Sequence, residues 1–132
     1  MILDSSALIA VLKEEPEAAE FIDLIDRALH CRMSAANYVE SAAIIDANRD
    51  PVFSRRFDDF LRQAEIQIQP VTVNQARIAR EAYRDFGKGS GHPARLNLGD
   101  CFAYALAKES GEPLLFKGED FGHTDVTSAF EL

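Results

Sequence analysis

Four acidic residues occupy positions from which their carboxylates could act together on a metal ion: Asp4, Glu40, Asp100 and Asp120. Each stands beside apolar residues, at the end of a predicted strand or near the start of a predicted helix. Partly buried carboxylates that gather in one place repel one another, so their pKa values rise unless a cation lies between them. Hard divalent cations prefer oxygen ligands, and Mg²⁺ or Mn²⁺ suits a carboxylate site that keeps some waters. The four acids together therefore predict a divalent-metal site.

Each acid taken alone also has an ordinary structural explanation. Asp4 could cap the helix that follows it, and Asp100 could be a favourable negative charge at a helix N-terminus. Glu40 could be a solvated helix residue, and Asp120 could be a turn residue between two nearby glycines. The metal-site hypothesis therefore depends on the four acids meeting in space.

Alternating strand and helix patterns would bring these acids to one edge of a sheet. Strands are predicted at residues 1–4, 30–34, 66–71 and 113–116, with a further edge strand near 125–128. Helices are predicted from Ser5 or Ser6 to about 13, at 17–29, 35–48, 51–65 and 73–86, and at 99–110, with Ser34, Asp50 and Thr72 as N-caps. This order indicates an α/β fold of three α/β/α layers with a mainly parallel sheet of four or five short strands. Ligands of such sheets bind at the carboxyl ends of the strands, where Asp4 is predicted to lie.

Length and composition favour one domain spanning residues 1–132, with an ordinary globular balance of 47% hydrophobic and 27% charged residues. No apolar run approaches the ~20 residues that cross a bilayer. The first residues lack the basic start of a signal peptide. We therefore expect a cytoplasmic protein without membrane association, in which Cys31 and Cys101 are reduced core thiols.

The net charge of −8 argues against an ordinary nucleic-acid-binding domain, because such domains are usually basic. A metal-dependent enzyme is an exception, since bound cations offset its acidic ligands locally. The charge therefore leaves open an enzyme that acts on nucleic acid through metal ions.

Three segments of the chain carry a family resemblance. They are MILDSSALIAVL, SAANYVE and LNLGDCFAYALAKESGEPLLFKGEDFGHTDV. Together they resemble the PIN-domain ribonucleases of the VapC toxin type. The third segment is the most specific, whereas residues from about 50 to 95 match only in helical character. The family's four acids match Asp4, Glu40, Asp100 and Asp120, its small hydroxyl residue matches Ser6, and an additional acid found in some members matches Asp125.

The resemblance implies an endoribonuclease that hydrolyses RNA phosphodiesters with Mg²⁺ or Mn²⁺ and leaves a 5′-phosphate and a 3′-hydroxyl. It also implies the toxin of a type II toxin–antitoxin pair, a homodimer and a VapB-type antitoxin partner. We expect Asp4 and Asp100 to bind the metal directly, and Asp120 to bind it directly or through water. Glu40, also a candidate ligand, would orient or deprotonate the attacking water. Ser6 would position a ligand carboxylate by a hydrogen bond.

Basic residues in the loops predicted beside the acids are candidates for RNA binding. Lys88, Arg95 and Lys117, with His92, could contact phosphates, or they could be solvated loop residues. His123 is expected at the surface and His30 in a structural role. The helices predicted between residues 17 and 61 carry several large apolar residues, most of which we expect in the core. A small sheet could leave some of them exposed, and such a remainder would suit an antitoxin helix. The large apolar residues are Phe21, Ile22, Ile25, Phe53, Phe57 and Phe60.

Two other functions remain open from the sequence. A phosphatase of the haloacid dehalogenase type also begins with a strand that ends in Asp, but its usual second acid two residues later is replaced here by Ser6. The protein could also be a catalytically silent module that only binds a partner. A dinucleotide enzyme is disfavoured, because FGKGSG follows a predicted helix rather than a strand.

Overall fold

A computed structural model of the protein describes residues 1–131 and shows four short strands, six α-helices and two 3₁₀ turns. The strands are β1 (Ile2–Leu3), β2 (Cys31–Ser34), β3 (Ile66–Gln69) and β4 (Leu114–Leu115). The helices are α1 (Ser5–Leu12), α2 (Ala18–Arg27), α3 (Ala35–Asp46), α4 (Pro51–Gln63), α5 (Val73–Phe86) and α6 (Leu98–Ser110). The 3₁₀ turns are Asp120–His123 and Ala129–Glu131.

The four strands form one sheet in the order β3-β2-β1-β4, and every pairing is parallel. The register sets Ile2 opposite both Arg32 and Leu114. The predicted parallel sheet is therefore confirmed, and the carboxyl ends of all four strands lie at the same edge. Asp4 comes directly after β1 at that edge.

Helices cover both faces of the sheet. Adjacent residues of a strand point to opposite sides, so each strand contributes side chains to two cores. Leu3 and Leu115 belong to a core formed mainly with α1, α2, α3 and α4. Ile2 and Leu114 belong to a second core formed with α5 and α6. The predicted three layers are thus present, with four helices on one face and two on the other. Cys31 and Cys101 are buried free thiols in the two different cores, as predicted.

The predicted caps of three helices are confirmed, since Ser34, Asp50 and Thr72 each accept a hydrogen bond from the first turn of their helix. The first helix begins at Ser5, and its N-cap is Asp4, the capping role that the sequence left open for this residue. Asp4 still has the extended backbone of β1, and its side chain accepts the bond from the backbone N–H of Ser6.

The predicted edge strand near residues 125–128 is not formed. A single bridge joins Ser128 to Leu114, and the backbone N–H of Leu114 donates to the carbonyl of Thr127 at 2.8 Å. The chain then enters the 3₁₀ turn at Ala129, which leaves no room for a second pair. No helix in residues 1–131 is both long enough and apolar enough to cross a membrane.

Candidate active site

Asp4 is held at the carboxyl end of β1 by a hydrogen-bonded network that reaches β4. Its Oδ2 accepts from the backbone N–H of Ser6 at 3.0 Å and from the Ser6 hydroxyl at 2.6 Å. The backbone N–H of Lys117, just beyond β4, donates to the Ser6 Oγ at 3.0 Å. The Lys117 N–H therefore occupies a lone pair of Ser6, and the Ser6 proton points at the Asp4 carboxylate.

The other oxygen of Asp4 has no partner. The side chain is 2% exposed, and its Oδ1 is buried without a hydrogen bond within the described part of the chain. Burial and the nearby Glu40 charge raise the pKa of Asp4, and the bonds from Ser6 only partly offset this. A buried carboxylate oxygen without a partner is costly, and a cation is the partner that would satisfy it.

Glu40 lies against the start of α6. It stands in the second turn of α3, and its Oε1 accepts a long hydrogen bond of 3.4 Å from the Asn37 amide. The same amide donates to the carbonyl of Gly99 at 2.9 Å. A side chain at position 99 would overlap the Glu40 carboxylate. Glycine at this position therefore lets the two helices bring Glu40 beside Asp100.

Asp100 combines a capping role with a strongly shifted pKa. Its Oδ2 accepts from the backbone N–H of Asn97 at 3.0 Å, while the Asn97 side chain accepts from the Asp100 N–H at 2.8 Å, which completes a capping box. Burial, together with the negative charges of Asp4, Glu40 and Asp120, raises the pKa of Asp100 to about 7, although the hydrogen bond from the Asn97 backbone N–H acts in the opposite direction. The four predicted acids therefore share one electrostatic environment.

Asp120 begins the 3₁₀ turn that follows β4, at the same edge of the sheet as Asp4. Its side chain is exposed, unlike that of Asp4. Its charge contributes to the raised pKa of Asp100, so the two carboxylates face a common region. An ordinary turn residue would not need to lie close to Asp100.

The donor set fits a hard divalent cation that keeps part of its water shell. All the converging groups are carboxylates, and one of them presents a buried oxygen without a partner. Among the side chains of residues 1–130, no three His, Cys, Asp or Glu groups lie closely enough to hold an ion between them. One or two of these carboxylates could bind Mg²⁺ or Mn²⁺, with water or substrate oxygens filling the other positions.

Comparisons with known proteins identify the family to which the chain is similar. The family model described as PIN domain matches residues 1–126. Ribonuclease VapC28 of Mycobacterium tuberculosis is 53% identical over 131 residues, covering 99% of this chain and 98% of the relative. Ribonuclease VapC42 of the same species is 50% identical over 129 residues, covering 98% of each chain.

The chain belongs to the VapC family of PIN domains. Two solved structures share the fold of this PIN domain. M. tuberculosis VapC20, described as a sarcin-ricin loop cleaving toxin, superposes with a TM-score of 0.73 at 14% identity and covers 96% of this chain and 95% of its own. FitAcB from Neisseria gonorrhoeae superposes with a TM-score of 0.69 at 19% identity over the full length of both chains.

Several predicted residues make contacts away from the four acids of the PIN domain. The Asp125 carboxylate accepts from the Tyr104 hydroxyl at 2.7 Å and from the Lys108 ammonium at 2.9 Å, on the middle and last turn of α6. The Lys117 ammonium is paired with both Glu15 and Glu17. Asp125 and Lys117 thus have structural partners that the sequence did not reveal.

The remaining loop candidates are divided between structural and exposed positions. Lys88 and Arg95 are exposed. The Nδ1 of His92 accepts from the backbone N–H of Ala94 at 3.1 Å, so this histidine is used within its own loop. His123 is at the surface, as predicted, and the carbonyl of His30 accepts from the amino group of Met1 at 2.9 Å.

Asn37 also belongs to this site, although it is not among the residues predicted from the sequence. Its side chain is fully buried and bonds Gly99 and Glu40, while its carbonyl accepts from the Ser5 hydroxyl at 3.2 Å and the Ser41 hydroxyl at 2.7 Å. Asn37 therefore connects the segments that carry Asp4, Glu40 and Asp100. A signal was present, because a polar residue three positions before an acid shares its helix face.

Replacing Asn37 is expected to reduce turnover more than substrate binding. In Asn37→Ala the Gly99 carbonyl and Glu40 lose their shared donor, so the start of α6 is no longer fixed against α3. We expect kcat to fall about tenfold with little change in KM, and stability to fall by about 1–2 kcal/mol. Steady-state kinetics and urea unfolding measure the two effects. Asn48→Ala is the control, because the Asn48 amide, just beyond α3, bonds only carbonyls at the end of that helix. An equal loss in kcat for Asn48→Ala would contradict a positioning role of Asn37.

A side chain at position 99 is expected to impair catalysis while sparing the fold. The atoms that a new Cβ would meet belong to the end of the Glu40 side chain, which can rotate away. Gly99→Ala should therefore displace the Glu40 carboxylate and lower kcat by about 10–100-fold, with a melting temperature within about 3 °C of the parent. Gly122→Ala is the matched control, because a Cβ there meets open space. Parent-like kcat in Gly99→Ala would show that the Glu40 position is unimportant.

Proposed function

We propose that this PIN domain, spanning residues 1–132, is a Mg²⁺- or Mn²⁺-dependent endoribonuclease and the toxin of a type II toxin–antitoxin pair. The observation that carries the proposal is the convergence of the Asp4, Glu40 and Asp120 charges on Asp100, beside a buried Asp4 oxygen that lacks a partner. The VapC relatives, which are named as ribonucleases, support RNA as the substrate class.

Each acid has a separate part in the proposed hydrolysis. Asp4 and Asp100 would bind the divalent ion, and Asp120 would bind it through water or hold a second ion. When bound, the ion lowers the pKa of a water molecule and neutralises charge on the scissile phosphate. Glu40 would take the proton of the attacking water, and the Ser6 hydroxyl would keep the Asp4 carboxylate in its ligating orientation. The expected products carry a 5′-phosphate and a 3′-hydroxyl.

The proposal is tested by incubating the pure protein with a panel of structured RNAs in Mg²⁺, in Mn²⁺ and in chelator. We expect cleavage that requires a divalent ion and leaves 5′-phosphorylated fragments. A protein that binds RNA or an antitoxin without metal-dependent cleavage would instead be a silent binding module. Membership of the VapC family argues against the haloacid dehalogenase alternative, and turnover of a small phosphate ester without RNA cleavage would reverse that conclusion.

The proposed VapB-type antitoxin has a candidate docking groove. A cavity of about 380 Å³ lies between the end of α1, α2 and α4, with Val11, Leu12, Ile22 and Phe60 among its lining. Phe21, Ile25 and Phe57 are buried in the core, whereas Ile22 is 38% exposed. Part of this apolar set is thus core, and the exposed remainder would suit an amphipathic antitoxin helix. NMR spectra of the Ile22 methyl groups and the Phe60 ring would test this groove. An antitoxin that inhibits cleavage without changing these signals would bind elsewhere.

Two further expectations complete the proposal. The family resemblance supports a homodimer, which analytical ultracentrifugation of the purified chain would test. A cytoplasmic location is consistent with an RNA substrate, and fractionation of cells that express the chain would test it.

A further inference from the structure

The positive charge of this acidic protein is concentrated in one segment. Residues 73–97 contain five basic and two acidic residues, whereas the rest of the chain contains nine basic and twenty acidic residues. This segment consists of α5 and the loop that joins it to α6. A net charge of +3 is therefore gathered in 25 residues of a chain whose remainder carries −11.

Three arginines of this segment form a stripe along α5. Arg77, Arg80 and Arg84 recur at a spacing of three and four residues and are all exposed. The opposite face of the helix contains Gln75, Ala79 and Ala82, which are buried. The stripe therefore faces away from the core and spans about 10 Å along the helix axis.

Most of these charges are not neutralised by neighbours. Seven of the fourteen basic side chains form ion pairs within residues 1–131, and four of the other seven lie in this segment. These four are Arg77, Arg80, Lys88 and Arg95. Arg84 is paired only with its exposed chain neighbour Asp85, at 2.9 Å. Positive charge is therefore available here for an external anion.

The stripe leads to the acidic site. At its start α5 is bonded to the end of α6, where the Gln75 amide donates to Glu109 at 2.9 Å. At its end, the backbone N–H of Leu96 donates to the Phe86 carbonyl and that of Lys88 to the Leu96 carbonyl, both at 2.9 Å. Helices α5 and α6 are thus antiparallel, and the Lys88 end of the segment lies beside the helix start that carries Asp100.

We propose that the exposed face of α5 and the adjoining loop bind the phosphate backbone of the RNA substrate. This inference rests on the proposed function and adds the surface that holds the substrate. The acids of the site repel RNA phosphates, and a chain of −8 repels them overall. A line of free cations that approaches the site offsets this repulsion and places the strand for cleavage. Because the contacts go to phosphates, the surface carries no base preference of its own.

The test compares two charge reversals of equal size. Arg77→Glu with Arg80→Glu removes two cations of the stripe, and Arg49→Glu with Arg55→Glu removes two unpaired, exposed arginines from the α3–α4 side. Both pairs are placed in an Asp4→Asn background, so that a fluorescent single-stranded RNA stays intact. Fluorescence anisotropy at several salt concentrations gives the RNA Kd and its salt dependence. All four positions are exposed, so melting temperatures should match the parent within about 2 °C.

We expect the α5 double variant to weaken RNA binding about tenfold and to reduce the salt slope of log K by about 1.4, corresponding to two lost phosphate contacts. The control pair should stay within about twofold of the parent, as only the net charge has changed. When the same two substitutions are made in the chain that keeps Asp4, the KM for RNA cleavage should rise and kcat should stay unchanged.

The outcomes separate this inference from the proposed function. If the parent cleaves RNA but both double variants bind it equally well, the surface is overturned while the nuclease stands. A stripe variant that loses affinity for an acidic antitoxin segment and keeps its affinity for RNA would also overturn it. If the parent neither binds nor cleaves any RNA with Mg²⁺ or Mn²⁺, both proposals fail.

Discussion

Asp4→Asn and Asp100→Asn are each expected to lower the rate of RNA cleavage by at least about 100-fold in saturating Mg²⁺ or Mn²⁺. The amide keeps the shape of the side chain but removes the negative charge that would bind the ion. Gel assays with labelled RNA, on protein purified away from host nucleases, measure the loss. A variant that cleaves at the parent rate would remove the substituted acid from the mechanism.

Both aspartates also cap helices, so a substitution could lower activity simply by destabilising the fold. The asparagine variants remove the charge but keep the cap. Asp4 is the N-cap of α1, and Asp100 accepts a bond within the capping box of α6. Asparagine retains a side-chain oxygen and is as good an N-cap as aspartate. Since burial disfavours the charged form of each aspartate, the melting temperature in metal-free buffer should equal or exceed that of the parent.

Asp50→Asn is the matched control for this prediction. Asp50 caps α4 by accepting from the backbone N–H of Val52 at 3.0 Å, and its substitution is chemically identical. It lies outside the carboxylate cluster, so its cleavage rate should remain within about twofold of the parent. A comparable loss of activity in Asp50→Asn would mean that capping, not metal binding, explains the effect at Asp4 and Asp100.

Local patterns predict that several acids meet at one edge of the sheet. Asp4 follows an apolar strand, and Glu40 and Asp100 stand near helix starts that parallel topology brings to one edge. These signals depend only on neighbouring residues and on a general rule for parallel sheets. The mutual influence of the four charges on Asp100 agrees with that prediction.

Contacts between distant segments could not be predicted in the same way. Asn37 meets Gly99 across 62 positions, and the close approach of Gly99 to Glu40 depends on how α3 docks against α6. The ion pair of Lys117 with Glu15 spans 102 positions, so a loop lysine that resembled a phosphate ligand is instead paired. Sequence patterns indicate the face and the end of an element, whereas docking chooses the partners.

In metal-free buffer, the stability of the protein is expected to fall as the pH rises from about 5 to 7.5. Burial and the neighbouring acids raise the pKa of Asp100 to about 7, whereas the same side chain in the unfolded chain has a pKa near 3.8. Between these values the folded state holds a proton that the unfolded state has lost, so stability falls with increasing pH and levels off above about 7. The lowered pKa values of Glu112 and Asp125 act in the opposite direction, but below this window.

Thermal unfolding in chelator between pH 5 and 8 measures this slope. Because Asp100 is partly exposed and screened by solvent, we expect a loss of about 1–2 kcal/mol, or about 5 °C in melting temperature. Asp100→Asn should reduce the slope, since its amide does not titrate, while the raised pKa of Asp4 leaves a remaining slope of the same sign. Asp125→Asn should leave the slope unchanged within this window, because Lys108 and Tyr104 lower rather than raise the pKa of Asp125.

Adding Mn²⁺ at pH 7.5 is expected to reverse the loss, because an ion that binds only the folded carboxylates stabilises by about 2.7 kcal/mol at one hundred times its Kd. The gain should shrink at pH 5, where protons compete for Asp100. Sodium chloride at matched ionic strength separates binding from general screening. A Mn²⁺ gain that is equal at both pH values, and that persists in the Asp4→Asn, Asp100→Asn double variant, would place the ion away from these carboxylates. Metal binding would then not be the reason why these acids lie close together.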